Sequence, residues 1–171
     1  MYKNIRVVMV AALDSKRGIG KNNKLLFRIK EDFDRMRKLI AGKPLIMGRN
    51  TYESMLSYTE GKIIPGSKNI VITSDADYGV KHKEGCLVTH SLESAMEAAA
   101  KDNPEEIIIF GGQKVFEQAL RATDRLYLTV VEGDFGADTF FPDYSEFKKV
   151  LSEKDYVSAE GLKFKFLDLE R

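Results

Sequence analysis

The sequence predicts an α/β fold: a predominantly parallel central sheet with helices on both faces and an antiparallel C-terminal part. Three observations carry this. Apolar, β-branched runs alternate with segments of helical periodicity, as a parallel sheet with crossover helices requires. Runs such as Ile107-Ile108-Ile109-Phe110 lack polar alternation, the pattern of strands covered on both faces. Near the end, Leu162-Lys163-Phe164-Lys165-Phe166 alternates instead, as a half-exposed antiparallel strand does.

Taken in order, Ile5 to Leu13 is the first strand. Lys3 and Arg6 before an apolar run imitate a signal peptide, but the run is short and Asp14, Lys16 and Arg17 follow without a small-residue cleavage site. Asp14 to Lys24 is a polar, glycine-bearing loop long enough to be functional, as is Ser57 to Ser67. Ile29 to Ile40 is helical: at about 100° per residue, Ile29, Asp32, Phe33, Met36, Leu39 and Ile40 share one side. Lys30, Glu31, Asp34, Arg37 and Lys38 share the other. Pro44 to Gly48 is a strand, and Thr51 to Ser57 a helix with Asn50 as cap and Glu53 completing a capping-box-like pair.

Asn69 to Thr73, Leu87 to Thr89, Ile107 to Phe110 and Leu126 to Val131 follow as strands, with helices over Leu92 to Lys101 and Lys114 to Arg121. Tyr156 to Ala159 is a candidate antiparallel strand. After Phe166 the apolar phase shifts to Leu167 and Leu169, which signals a bulge or strand end. With no repeat, low-complexity segment or linker, one domain over residues 1–171 is expected.

Lys+Arg 27 against Asp+Glu 26 leaves a net charge of +1, so no global basic field favours nucleic acid and anion recognition must be local. The single cysteine, Cys86, excludes an intramolecular disulfide and fits a reducing cytoplasm. No stretch has the apolar length to cross a bilayer. His82, Cys86 and His90 are evenly spaced but lack a fourth ligand, and a strand separates the last two. Asp134, Asp138 and Asp143 lack the spacing of a calcium loop and read as a solvated loop, so no metal is expected. GxSxG and P-loop motifs are absent from the sequence.

Asp32 is the most informative residue, an acid inside an apolar helical stripe. Burying a lone carboxylate costs several kcal/mol unless it is paired or its pKa rises. Either it sits at the edge of the stripe, paired with an arginine or a backbone group, or it awaits a cationic or amidine-like ligand; the helix alone leaves both open. Two places could seat phosphates. Pro44 to Glu53 reads as strand, tight turn and helix start, with Arg49 as a bidentate donor or as an ordinary surface arginine. In Ile109 to Phe116, Gly111 and Gly112 permit close backbone approach at a second helix start, although they do not form a GxGxxG fingerprint. A dinucleotide has phosphates for both.

The run Leu45-Ile46-Met47-Gly48-Arg49-Asn50-Thr51-Tyr52-Glu53-Ser54 resembles dihydrofolate reductases. So do Val10-Ala11-Ala12 with Gly18-Ile19-Gly20, Phe110-Gly111-Gly112 with Val115-Phe116-Glu117, Leu126-Tyr127-Leu128-Thr129 and Asp138-Thr139-Phe140-Phe141-Pro142, so that the likeness spans nearly the whole chain. It implies NADPH-dependent reduction of the 5,6 bond of dihydrofolate, for one-carbon metabolism, by a cytoplasmic monomer that takes a small-molecule substrate. It implies that Asp32 and Thr129 anchor the pterin edge, with Phe27 beside the ring and Val10, Ala12, Phe33, Met36, Met55, Ile64 and Phe110 around the substrate.

For NADPH, the likeness implies Ala12, Ile19, Gly20 and Phe110 near nicotinamide and Thr51 at the junction with substrate. Gly48, Arg49, Asn50, Gly111, Gly112, Gln113, Lys114 and Val115 would face the phosphates, with Thr73, Ser74 and His90 toward adenosine. Two departures stand out. Leu26-Phe27 replaces the family's common Pro-Trp, removing an indole N–H that can hold a water. Ser67 replaces the arginine that usually clamps the folate α-carboxylate, with Lys68 or Lys62 as possible substitutes. Reduction of a related dihydropterin or diaminopyrimidine with a different tail is therefore an alternative, and a non-catalytic nucleotide-binding module is another.

Overall fold

The structure, a computed structural model, describes residues 1–59, 68–81 and 86–171. Ile64, Ser67, Lys62 and His82 lie outside the described residues. The elements are β1 (Arg6–Asp14), β2 (Gly18–Gly20), α1 (Lys30–Ile40), β3 (Pro44–Gly48), α2 (Arg49–Tyr58), β4 (Lys68–Ile72), α3 (Tyr78–Lys81) and β5 (Cys86–Thr89). There follow α4 (Leu92–Ala100), β6 (Glu106–Gly111), α5 (Gln113–Ala119), β7 (Arg125–Val131), β8 (Thr139–Phe140), β9 (Lys149–Val157) and β10 (Lys163–Glu170).

Among the described residues, an 8-stranded sheet has the order β5-β4-β3-β6-β1-β7-β10-β9. Strands β5 through β7 are parallel neighbours, whereas β10 pairs antiparallel with β7 and β9 antiparallel with β10. The expected parallel centre and antiparallel tail are both present. Successive residues enter opposite cores. Val7 and Met9 pack with Ala95 and Met96 of α4 and with Val115 and Phe116 of α5. Val8 and Val10 pack with Ile40 of α1 and with Tyr52 and Met55 of α2. Covering both faces explains the unbroken apolar runs; each isoleucine of Ile107-Ile108-Ile109 is fully buried, a gain of roughly 1.5–3 kcal/mol apiece.

Several expectations need correction. Helix α2 starts at Arg49 with Gly48 as its N-cap residue and no side-chain cap; Asn50 lies exposed in the first turn. Glu53 accepts bonds from Arg49 Nε and the Tyr78 hydroxyl instead of closing a capping box, because an i,i+4 ion pair satisfies it better. The helix expected over Lys114 to Arg121 tightens into a 3₁₀ turn at Leu120–Ala122. Of the two readings of the phase shift after Phe166, the bulge is borne out: β10 continues to Glu170, and β9 carries an extra residue at Leu151 opposite Asp168/Leu169. Most of β9 gave no sequence signal because every residue in it is exposed, leaving no burial period to read.

The segment Asp14 to Lys24 is more ordered than a loop. Asp14 is buried and accepts bonds from the N–H groups of Lys16, Gly18 and Phe135 at 2.9, 2.8 and 3.0 Å, which seats β2 against β8. At the N-terminal end of the sheet, Glu106 is buried between Lys43 and Arg6, at 2.7 and 3.1 Å. Burial alone would push its carboxyl up, but these two bonds outweigh burial and hold it below the usual carboxylate range.

Candidate active site

The C-terminal ends of parallel strands are where α/β sheets bind ligands, and here they border a cleft of about 770 Å³ counted out to bulk solvent. Helix α1 has Ile29 and Ile40 buried at its ends, whereas Asp32, Phe33 and Met36 are half-buried and line the cleft. The middle of the apolar stripe thus faces a binding space, not the core. Val10 and Ala12 from β1, Met55 from α2, Phe110 from β6 and Phe27 complete the wall near Asp32. Ile19, Thr51, Gly111 and Gly112 line the same cleft toward the starts of α2 and α5.

Thr129, buried in β7, donates its hydroxyl hydrogen to Asp32 Oδ1 at 2.6 Å. Burial raises the Asp32 pKa; the Thr129 bond and the positive charge of Arg35 oppose that rise but do not cancel it. Among the described residues no cation is hydrogen-bonded to Asp32. Arg35, one helical turn on, is committed to Asp168 and the Leu128 carbonyl. Among the described residues no arginine pairs with Asp32; its carboxyl accepts from the uncharged Thr129 hydroxyl and lines the cleft.

The glycines suit a phosphate-bearing group. A Cβ on Gly112 would stand 3.1 Å from Thr51 Oγ1, and one on Gly48 would stand 3.5 Å from Val115 Cγ2 and 3.9 Å from Gly112 N. Side chains there would fill the space between the two helix starts. Gly111 has φ +110°, and a Cβ would meet the Phe116 ring at 2.9 Å. Neither Gly48 nor Gly112, the N-cap residues of α2 and α5, receives a side-chain cap, so backbone N–H groups stay available for an anion. Arg49 lies beside them, its guanidinium 4.4 Å from the Tyr78 ring and bonded to Glu53 and Asp75 at 3.2 and 3.3 Å.

Other expected residues lie off the cleft wall. Thr73, Ser74 and His90 gather beyond the ends of β4 and β5, where His90 Nδ1 is 2.6 Å from the Thr73 carbonyl oxygen. Gly20 is buried, with a Cβ position 3.0 Å from Thr139 Oγ1. The Gln113 side chain clasps β8 by accepting from Phe140 N at 2.8 Å; Lys114 is exposed, and the Val115 side chain belongs to the core. Lys68 holds Asp102 at 2.7 Å and does not line the cleft. Ala11, Leu25, Leu26 and Phe116 line it although they were not expected as site residues. The apolar triplet Leu25-Leu26-Phe27 after a polar loop was a usable signal; Phe116 had none, since it reads as the core side of α5.

Asp138, just before β8, accepts from Asn22 N at 2.9 Å in an exposed loop contact. Among the described residues no cluster of His, Cys, Asp and Glu converges as a metal site, and no helix is long and apolar enough to cross a membrane.

Comparison with known proteins agrees with this geometry. The family model described as dihydrofolate reductase matches residues 6–171. A dihydrofolate reductase of Staphylococcus aureus is 39% identical over 137 residues, covering 80% of this chain and 78% of the relative. One from Staphylococcus haemolyticus is 31% identical over 156 residues, with 90% and 88% covered. Among solved structures, dihydrofolate reductase from Enterococcus faecalis complexed with NADP(H) and RAB-propyl superposes with a TM-score of 0.84 at 29% identity, covering 97% of this chain and 96% of that one. With a family model matched along almost its entire length and relatives above 30% identity, the chain belongs to the dihydrofolate reductase family.

Proposed function

We propose that this chain catalyses NADPH-dependent reduction of 7,8-dihydrofolate to 5,6,7,8-tetrahydrofolate, in the service of one-carbon metabolism. The observation that carries this is the Asp32–Thr129 pair, at 2.6 Å, in an apolar cleft that also meets two uncapped helix starts. NADPH, when bound, supplies a hydride for C6 of the pterin ring. Gly48, Arg49, Asn50 and Gly111 to Val115 would hold its phosphates, Thr73, Ser74 and His90 its adenosine end, and Ala12, Ile19, Gly20 and Phe110 its nicotinamide end.

Asp32 accepts N–H bonds from the 2-amino group and N3 edge of the ring, and Thr129 fixes the carboxyl's orientation. That edge is the pyrimidine side, remote from N5, so Asp32 orients and polarises while water delivers the N5 proton. Phe27, Phe33, Met36 and Met55 exclude bulk water from the ring. The Phe27 side chain carries no N–H to hold the donating water, which leaves that water to other groups.

The test is a substrate panel. Purified protein given NADPH and dihydrofolate is expected to oxidise the cofactor, read as lost absorbance at the reduced-nicotinamide wavelength. Absence of turnover overturns the proposal. A preference in kcat/KM for glutamylated folate over tail-less dihydropterins separates folate from the related-pterin reading raised by Ser67.

A single domain over residues 1–171 is supported by the strand order, since β1 and the C-terminal β10 both flank β7. For the oligomeric state the reading is a monomer, supported by the charged residues Lys149, Glu153, Lys154 and Asp155 along the exposed edge strand β9, the kind of edge that resists pairing between copies. The lone Cys86 suits a cytoplasmic setting.

A further inference from the structure

Arg35 is a charged residue beside the site whose arrangement the proposed mechanism does not use. It lies one helical turn after Asp32, on the side of α1 that faces β7 and β10, and its side chain is 18% exposed. Four contacts hold its guanidinium, the longest of them to the Tyr127 ring at 5.8 Å. It pairs with Asp168 of β10, donates to the Leu128 carbonyl at 3.3 Å and stands 4.5 Å from the Phe166 ring. Leu128 precedes Thr129, and Phe166 is the register partner of Thr129. The cation is thus fixed beside Thr129, whose hydroxyl bonds Asp32.

The geometry points to Arg35 as an electrostatic positioning residue for Asp32: held by Asp168, Leu128 and Phe166, it sets the charge state of the ring anchor without touching the ligand. It rests on the reading of Asp32 as the pterin anchor. Among the described residues, few other groups face Asp32. On β7 these are Thr129 and, two residues back, Tyr127, whose hydroxyl accepts from Arg125 at 3.0 Å. From β1 and the segment before α1 come apolar Val10, Ala12, Leu26 and Phe27. On β10, Phe166 is the partner of Thr129, whereas Lys165 pairs with Val130 on the other face and is bound by Glu153 at 2.8 Å; on β9, Lys154 lies exposed opposite Phe166. Arg35 is the charge that opposes the effect of burial on Asp32.

Its pairing with Asp168 gives the idea a two-sided consequence. Removing the cation raises the Asp32 pKa; removing Asp168 leaves the cation uncompensated and lowers it. A basic 2,4-diaminopyrimidine, which gains most from an ionised Asp32, should follow the same order in its pH range of tight binding.

The experiment is carboxyl ¹³C NMR titration of apo protein, with the Asp32 signal identified from Asp32→Asn, across Arg35→Met, Arg35→Lys and Asp168→Asn. Arg35→Met should raise the Asp32 pKa by about half a unit or more, Asp168→Asn should lower it by a smaller amount, and Arg35→Lys should leave it near wild type. Diaminopyrimidine affinity measured by calorimetry against pH should shift in parallel. An unmoved Asp32, shifts of the same sign in the Met and Asn variants, or a Lys variant that behaves like Met overturns the assignment. If Arg35→Met does not fold, Asp168→Asn still decides through the sign of its shift. Failure to reduce dihydrofolate would overturn the proposed function but leave the apo titration unaffected.

Discussion

Glu106 and Asp32 are carboxylates drawn below the surface near opposite ends of one sheet, and their neighbours treat them differently. Glu106, at the start of β6, is bonded by Lys43 and Arg6, so its charge is matched within the chain and its carboxyl is held low. Asp32, beside the C-terminal strand ends, has a hydroxyl for its direct partner and a cation already committed elsewhere, so burial prevails and its carboxyl is held high. One arrangement completes the fold; the other leaves binding capacity for a ligand. An electrostatic deficit in the free protein is what a ligand's N–H edge can relieve.

The comparison breaks most sharply if Asp32 is replaced. Asp32→Asn keeps an oxygen for Thr129 but loses the acceptor pair for the pterin edge. We expect kcat/KM for dihydrofolate to fall by about 10³-fold, roughly 4 kcal/mol, while NADPH affinity measured by fluorescence stays within a few-fold. Normal turnover in this variant would remove Asp32 from the mechanism.

Glu106→Gln should act in the opposite manner, on stability. Two partly buried cations lose their counterion, which costs about 2–4 kcal/mol in denaturant unfolding while kcat is unchanged.

The pH dependence of these effects has opposite signs. Stability from Glu106 is present above its ordinary pKa of 4.5 and is lost as pH falls through its lowered folded value, so the Gln variant should approach wild type in acid. Stability from Asp32 is present below its ordinary 3.8 and is lost as pH rises through its raised folded value. Asp32→Asn should therefore melt above wild type at neutral pH and lose that advantage in acid. Melting curves across the pH range check both.

A smaller effect lies at the cofactor end. Asp75 holds Arg49 at 3.3 Å and competes with any phosphate for it. Asp75→Asn should tighten NADPH binding a few-fold at low salt, and the gain should shrink as salt rises, as expected of a partly exposed pair. Calorimetry at two ionic strengths reads it.

How much of this was legible before folding differs by region. The central strands were readable because burial on both faces leaves an unbroken apolar run, as in Ile107-Ile108-Ile109. Strand β9 was mostly invisible because an exposed edge imposes no pattern on its side chains. Asp32 stood out because an acid in an apolar stripe violates a local rule. Phe116 did not, since a phenylalanine on a helix reads the same whether it packs in a core or lines a cleft. The capping box at Asn50 failed because the helix begins one residue earlier, with Gly48 as N-cap, and Arg49 and the distant Tyr78 take the Glu53 carboxylate.

The chain's own order of residues determined the alternation of strands and helices, the two glycine-bearing turns and the anomaly at Asp32, because periodicity and local conformational preference act over a few neighbours. Tertiary structure decided which charges are answered. Lys43 and Arg6 reach Glu106 across 63 and 100 residues of chain, and Thr129 reaches Asp32 across 97. Electrostatic matching depends on distance in space, and only the folded sheet brings those groups within bonding range.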